Sequence, residues 1–266
     1  MSQVLNEKSI ESYAQAVIND GFCIVPGLFP AQVMDEWNRA FHPLLERHIA
    51  LEGHKQNRGK ARYYVTLPFI APFTNLEIID NDTVLAIVEK LVGKDGVMCQ
   101  LATDTPLAGS EYQEIHRDTQ LLFPETGQET PAYQLAVNFS LVDVTPENGP
   151  LELTYGTHML SKAEGLRRIE SGETRLEPVF MKKGDVMIRD VRHLHRGTPN
   201  RNGIPRPMVV IGYSRRWLFR PEVDIKIPRA SYEGLSARAK FWLRFNPVVE
   251  SLDEVERTEK YQSFAY

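Results

Sequence analysis

Cysteine is scarce in this sequence: two in 266 residues, Cys23 and Cys99, with no CxxC spacing. That excludes a disulfide framework and a zinc ribbon. Each lies in a short apolar run, Phe22-Cys23-Ile24-Val25 or Val97-Met98-Cys99-Gln100-Leu101, where a buried core thiol is expected. No apolar stretch approaches the ~18 residues of a membrane span. The N-terminus carries Glu7, Lys8 and Glu11 where a secretory leader would be apolar. A cytoplasmic protein with no membrane partner is the expectation. Neither sign of charge dominates: 31 Lys and Arg stand against 35 Asp and Glu, a net charge of −4. That argues against general affinity for nucleic acid or anionic lipid. Repeats and low-complexity segments are absent, as are the GxSxG elbow, the GxGxxG turn and the HExxH helix. Gly53 to Lys60 is not a phosphate-binding Walker loop, because five residues separate its glycines and Ala61 follows the lysine.

What is present reads as an ordinary globular chain, 42% apolar and 25% charged. At about 150 residues per domain the length allows one or two units, and a single domain over residues 1–266 is expected. A helical part (about 1–95) precedes a β-rich core (about 96–220), and a C-terminal helix and tail follow (221–266). In residues 9–18, Ile10, Tyr13, Ala14, Val17 and Ile18 share one helical face. Phe22 to Val25 reads as a strand. Pro30 opens a second helix with a stripe of Val33, Trp37, Ala40, Phe41 and Leu44. Residues 52–62 are polar and read as a surface loop. A third helix is expected from Asp82 or Thr83 to Leu91. Beyond Gly93, six short apolar runs separated by turn residues (97–102, 133–142, 151–154, 177–180, 186–188 and 208–213) indicate an antiparallel sandwich or barrel. Val209, Val210 and Ile211 in succession suggest a strand covered on both faces, with helices on one. A last helix is expected over residues 232–245, and a solvated tail from Glu250.

Of seven histidines, His42 and His48 read as part of a polar helix face, His54 as a loop residue without a role and His158 as structural. His116-Arg117-Asp118 is different. On an extended segment, residues two apart point the same way, so imidazole and carboxylate face one site while Arg117 faces away. One neutral nitrogen and one anionic oxygen are two of the three ligands of a 2-His-1-carboxylate iron site, which leaves positions open. The third must come from elsewhere, and Arg192-His193-Leu194-His195-Arg196-Gly197 offers His193 or His195. Arg206 enters the strand Met208-Val209-Val210-Ile211. A buried guanidinium there requires an anion, and the carboxylate of a bound small molecule would serve bidentately. The basic, aromatic segment Tyr213 to Arg220 reads as a sheet end with outward arginines rather than a nucleic-acid surface.

The series His116-Arg117-Asp118, Glu147-Asn148-Gly149-Pro150, Gly156-Thr157-His158, Gly184-Asp185 and His195-Arg196-Gly197 with Arg206 resembles the phytanoyl-CoA dioxygenase family over roughly residues 12–220. The resemblance implies an α+β fold, a double-stranded β-helix (jelly roll) with N-terminal helices packed on one sheet. It also implies an Fe(II)- and 2-oxoglutarate-dependent dioxygenase. Such an enzyme couples O2-dependent decarboxylation of 2-oxoglutarate to succinate with oxidation, most simply hydroxylation, of a C–H bond in a small-molecule substrate. By the same resemblance His116, Asp118 and His195 are the iron ligands and Arg206 pairs with the distal carboxylate of 2-oxoglutarate. Gln113 and Arg62 are further cosubstrate contacts. The sequence departs from the family pattern at Leu151, where some relatives carry a contacting Thr, and in Tyr155-Gly156-Thr157-His158. An intact Asp118 argues against halogenation. The alternatives are a jelly-roll metal-binding protein that does not activate O2, and a cupin-type enzyme that does not use 2-oxoglutarate. Substrate contacts are expected from residues 52–72, 119–132 and 160–175.

Overall fold

The structure, a computed structural model, describes residues 5–52, 59–126, 130–218 and 224–252. His54, Phe219, Arg220 and most of the expected tail lie outside those residues. The chain begins with helix α1 (Glu7–Asp20), strand β1 (Phe22–Val25), α2 (Ala31–Glu52), β2 (Arg62–Thr66), α3 (Leu76–Ile79) and α4 (Asp82–Val92). The β-rich part follows as β3 (Val97–Pro106), β4 (Gln134–Ser140), β5 (Leu151–Leu153), α5 (Lys162–Glu170), β6 (Glu177–Val179), β7 (Val186–Asp190), β8 (His195–Gly197) and β9 (Met208–Ser214). It closes with β10 (Ile227–Pro228), α6 (Arg229–Glu233), α7 (Ala237–Trp242) and β11 (Val248–Val249).

Six strands form one antiparallel sheet in the order β1-β7-β4-β9-β3-β2, and β6-β5-β8 form a second, smaller one. The strands alternate as a pleat requires. On β4, Leu135, Val137 and Phe139 turn toward the helices, and on β9 Val209, Ile211 and Tyr213 do the same. There they meet Val17 of α1, Trp37 and Phe41 of α2, and Val84 and Val88 of α4. Trp37 sets its edge against Phe73 at 5.2 Å and against Phe139 at 5.5 Å. The opposite residues of the same strands, among them Gln134, Ala136, Asn138, Met208 and Val210, line a cavity. The expected helices on one sheet are therefore present, and they leave the other face of that sheet for a site.

Several local expectations are corrected. The loop expected over residues 52–62 is narrower at its ends, since α2 runs to Glu52 and β2 starts at Arg62; residues 53–58 lie outside the described residues. The strand was hidden because its residues are cationic and aromatic, and all but the last are buried. His48 does not lie on a polar face; it is buried with its ring edge-on to Tyr63. Cys99 is half-buried, displaced by an irregularity in pairing between Met98 and Gln100. The segment 160–175, expected to contribute substrate contacts, contains helix α5, whose N-cap Ser161 accepts from the Glu164 N–H. The single helix expected over 232–245 is α6 and α7, divided at Gly234, with Ser236 capping the second. Among the described residues no helix is long and apolar enough to cross a membrane.

Candidate metal and cosubstrate site

His116 and His195 come from distant segments and are joined backbone to backbone. Each donates its N–H to the other's carbonyl, both at 2.9 Å. The Asp118 N–H goes to Val191 O at 2.9 Å, which continues the extended segment. Alternation then acts as the sequence requires: His116 and Asp118 face one point, and Arg117 turns away to donate to Thr157 O and Leu160 O. Asp118 Oδ1 stands 3.9 Å from His116 Nε2 and 3.6 Å from His195 Nε2. All three donor atoms lie within 4.8 Å of one another.

The donor set fits a divalent ion. Two bonds of roughly 2.1 Å bridge up to ~4.2 Å. His116 Nδ1 donates to Glu114 O at 2.8 Å and His195 Nδ1 to His193 O at 3.0 Å. Those bonds place the proton on Nδ1 and leave each Nε2 lone pair aimed at the shared point, the outer-shell arrangement that metal-ligating histidines use. Burial alone would favour the acid form of Asp118. The Arg189 guanidinium outweighs it and holds the carboxyl well below the usual range. His193, the other candidate, is not at this point. It stacks on His195 at 5.1 Å and 21°, with Nδ1 on Asp190 O.

Arg206 is 1% exposed and lines the same cavity. Its Nε and Nη2 donate to Gly149 O at 3.1 and 2.7 Å. Gly149 holds that carbonyl in place through a left-handed conformation, φ 82°, inside the turn that Asn148 ties to Asp143 O and the Thr145 N–H. Among the described residues no carboxylate lies within ion-pair distance of Arg206. Burial pulls its pKa down to about 10 against the attraction of Asp104. The cavity thus presents a buried cation that no carboxylate of the described residues contacts.

Gln113 lines the cavity and accepts the Gly197 N–H at 2.9 Å. Arg62 is equally buried, but its Nη1 pairs with Asp104 at 2.9 Å and its Nη2 donates to Thr198 O at 2.7 Å. It reaches the cavity through Asp104. A Cβ at Gly197 would fall 2.5 Å from Arg62 Cζ and 2.6 Å from Gln113 Oε1, which explains the glycine after His195-Arg196. Leu151 also lines the cavity, so an apolar group stands where a hydroxyl was considered.

Arg189 was missed by sequence reasoning. Its Nη2 meets Asp118 Oδ2 at 2.7 Å and its Nε donates to Asn138 Oδ1 at 3.0 Å. The available signal was a lone arginine in the apolar run Val186-Met187-Ile188-Arg189, facing the side that alternation assigns to the site. By occupying Oδ2, it leaves Oδ1 as the carboxylate oxygen that faces the two imidazoles.

Residues 18–208 match the profile of the family described as Phytanoyl-CoA dioxygenase (PhyH). A curated relative, dioxygenase olcK of Penicillium canescens, is 25% identical over 242 residues, which cover 87% of this chain and 79% of the relative. Among solved structures, the epimerase SnoN in complex with Fe3+, alpha ketoglutarate and nogalamycin RO superposes with a TM-score of 0.59 at 20% identity, covering 79% of this chain and 85% of SnoN. HygX of Streptomyces hygroscopicus, with nickel and 2-oxoglutarate bound, gives 0.57 at 18% identity over 81% of this chain and 89% of HygX. These likenesses establish the jelly-roll fold.

Proposed function

Since the chain belongs to the phytanoyl-CoA dioxygenase family, whose cofactors are Fe(II), 2-oxoglutarate and O2, we propose that it hydroxylates a C–H bond of a small organic molecule. In this reading the chain is one dioxygenase domain. His116, Asp118 and His195 hold the metal, and Arg206 holds the distal carboxylate of 2-oxoglutarate. When bound, the iron and 2-oxoglutarate supply O2 activation coupled to decarboxylation to succinate.

The protein's own contribution is orientation and exclusion of water. The Nδ1 bonds fix both imidazoles, and Arg189 fixes Asp118. Gly149 O steers the Arg206 guanidinium, whose charge no carboxylate of the described residues neutralises at contact distance. Gln113 and the Arg62–Asp104 pair border the cosubstrate end. Leu151, Val191, Met208 and Val210 give that cavity apolar walls. The observation that carries the reading is this pairing in one cavity of a 2-His-1-carboxylate cluster with a buried arginine that no carboxylate of the described residues contacts. A protein that merely bound metal would not need the arginine.

The test is turnover. Protein supplied with Fe(II), 2-oxoglutarate and O2 should release succinate, and a substrate found by screening should gain the mass of one oxygen atom. Turnover with a product of unchanged mass, or one lighter by a hydrogen pair, would replace hydroxylation with epimerisation or with desaturation or ring closure. Absence of any succinate would favour the metal-binding or cupin-type alternatives.

A further inference from the structure

The cavity is longer than the proposed ion and cosubstrate need. Its floor is the inward face of the six-stranded sheet. Along β9 that face carries Met208 and Val210, then by alternation Gly212 and Ser214. Arg206 lies just before this run, so the guanidinium end is at the start of β9. At the level of Gly212, the register puts Ala136 and then Arg189 on one side and Gln100 on the other. At the level of Ser214 it puts Gln134. Met208 to Ser214 covers roughly 20 Å at ~3.3 Å per residue, more than a five-carbon diacid spans. In the middle of the floor, Ala136 leaves its strand nearly bare, while the Gln100 side chain covers Gly212, where a Cβ would fall 2.8 Å from Gln100 Cβ.

Two polar groups at this far end have bonding capacity that the protein does not use. Gln134 is 5% exposed and lines the cavity, yet its side chain makes no hydrogen bond among the described residues. Arg189 is 6% exposed; Nε and Nη2 are occupied by Asn138 and Asp118, while the buried Nη1 has no partner among the described residues. Buried donors and acceptors are nearly always paired, and an unpaired one is destabilising. A buried donor without a partner and an amide without a hydrogen bond, both beside one cavity, point to a ligand that engages them.

Accepting the oxygenase reading above, we infer that Gln134 and Arg189 form a substrate-recognition subsite for an acceptor oxygen, the carbonyl or carboxylate of an oxidised small molecule. Arg189 can only donate, which selects an acceptor. The Gln134 amide, which makes no hydrogen bond among the described residues and so can turn, supplies its Nε2–H as a second donor to the same group. The floor at Ala136, beside Gln100, takes the body of the molecule. Because the same guanidinium also holds Asp118, the substrate's oxygen is fixed close to the metal ligands, and the carbon oxidised is one near that carbonyl.

Binding can be read without turnover. The protein is loaded with redox-inert Zn(II), saturated with 2-oxoglutarate and titrated with para-fluoroacetophenone, para-fluorobenzoate and para-fluorotoluene, followed by fluorine NMR line broadening. The ketone and the carboxylate should bind and the hydrocarbon should not. Gln134→Leu should weaken both oxygenated probes roughly tenfold, about 1.4 kcal/mol. It should leave unchanged the rise in melting temperature that 2-oxoglutarate gives the Zn(II) protein. Gln134→Glu should reject the benzoate more strongly than the ketone. The subsite is overturned if the hydrocarbon binds as well as the ketone, if neither oxygenated probe binds, or if Gln134→Leu weakens 2-oxoglutarate instead of the probes. If 2-oxoglutarate fails to stabilise the Zn(II)-loaded wild type, the oxygenase reading falls as well.

Discussion

Arg206 shows how much of a site can depend on one side chain and one carbonyl. It is buried, it donates twice to Gly149 O, and it has no carboxylate at contact distance among the described residues. Replacing it with Ala should cost ~2–3 kcal/mol of 2-oxoglutarate binding, the range for a hydrogen bond to a charged group. By titration calorimetry that is a loss of roughly 30- to 150-fold; unchanged affinity would remove the assignment. His158 and His193 make a separate prediction about stability. Burial is the main cause that lowers both pKa values. For a base whose folded pKa lies below its unfolded value of ~6.5, the unfolded chain takes up the proton first as pH falls. Stability is therefore complete above about pH 6.5 and is lost below it. Metal-free protein should lose up to ~1.4 kcal/mol per pH unit for each of these rings between about pH 6.5 and 5, measured by denaturant melts, and His158→Gln should make the slope shallower. A flat profile would contradict the burial of neutral rings. At this scale the sequence was most legible where spacing and chemistry coincide, as in His116 and Asp118. It was least legible at Arg189 and Gln134, whose importance arises from which strand lies beside which.

Single glycines decide how elements meet. Gly149 turns the Asn148-Gly149 loop so that its carbonyl faces Arg206, and a Cβ there would lie 2.9 Å from Thr198 O. Gly184, φ 101°, brings β7 up against Phe29 O far from the cavity. Alanine at either position should cost ~1–3 kcal/mol in backbone strain. Gly149→Ala should also raise the KM for 2-oxoglutarate, whereas Gly184→Ala should lower only the melting temperature. Equal effects on KM would show that the Gly149 carbonyl does not steer the arginine. Helices α1 and α4 were legible from periodicity because each packs one stripe on the sheet. Strand β2 was not, because Arg62-Tyr63-Tyr64 reads as polar until its arginine is seen to be buried against Asp104. The helix expected over residues 232–245 was divided by Gly234 and Ser236, a stop and a cap that the apolar pattern outweighed on reading.

Across the whole molecule the arrangement is layered: helices on one face of the large sheet, the cavity on the other, and the β6-β5-β8 sheet contributing His195. The order of motifs identified the family, and with it the jelly roll, before any coordinates. The convergence itself was beyond sequence reasoning, because 78 intervening residues must fold before His116 and His195 exchange their two backbone bonds. The most direct measurement of the account is an anaerobic titration of metal-free protein with Fe(II), followed by 2-oxoglutarate. One iron per chain, 2-oxoglutarate binding that requires the metal, and loss of both in Asp118→Ala and His195→Ala are the expected results. Tight metal binding retained by those variants, or 2-oxoglutarate binding indifferent to metal, would contradict it.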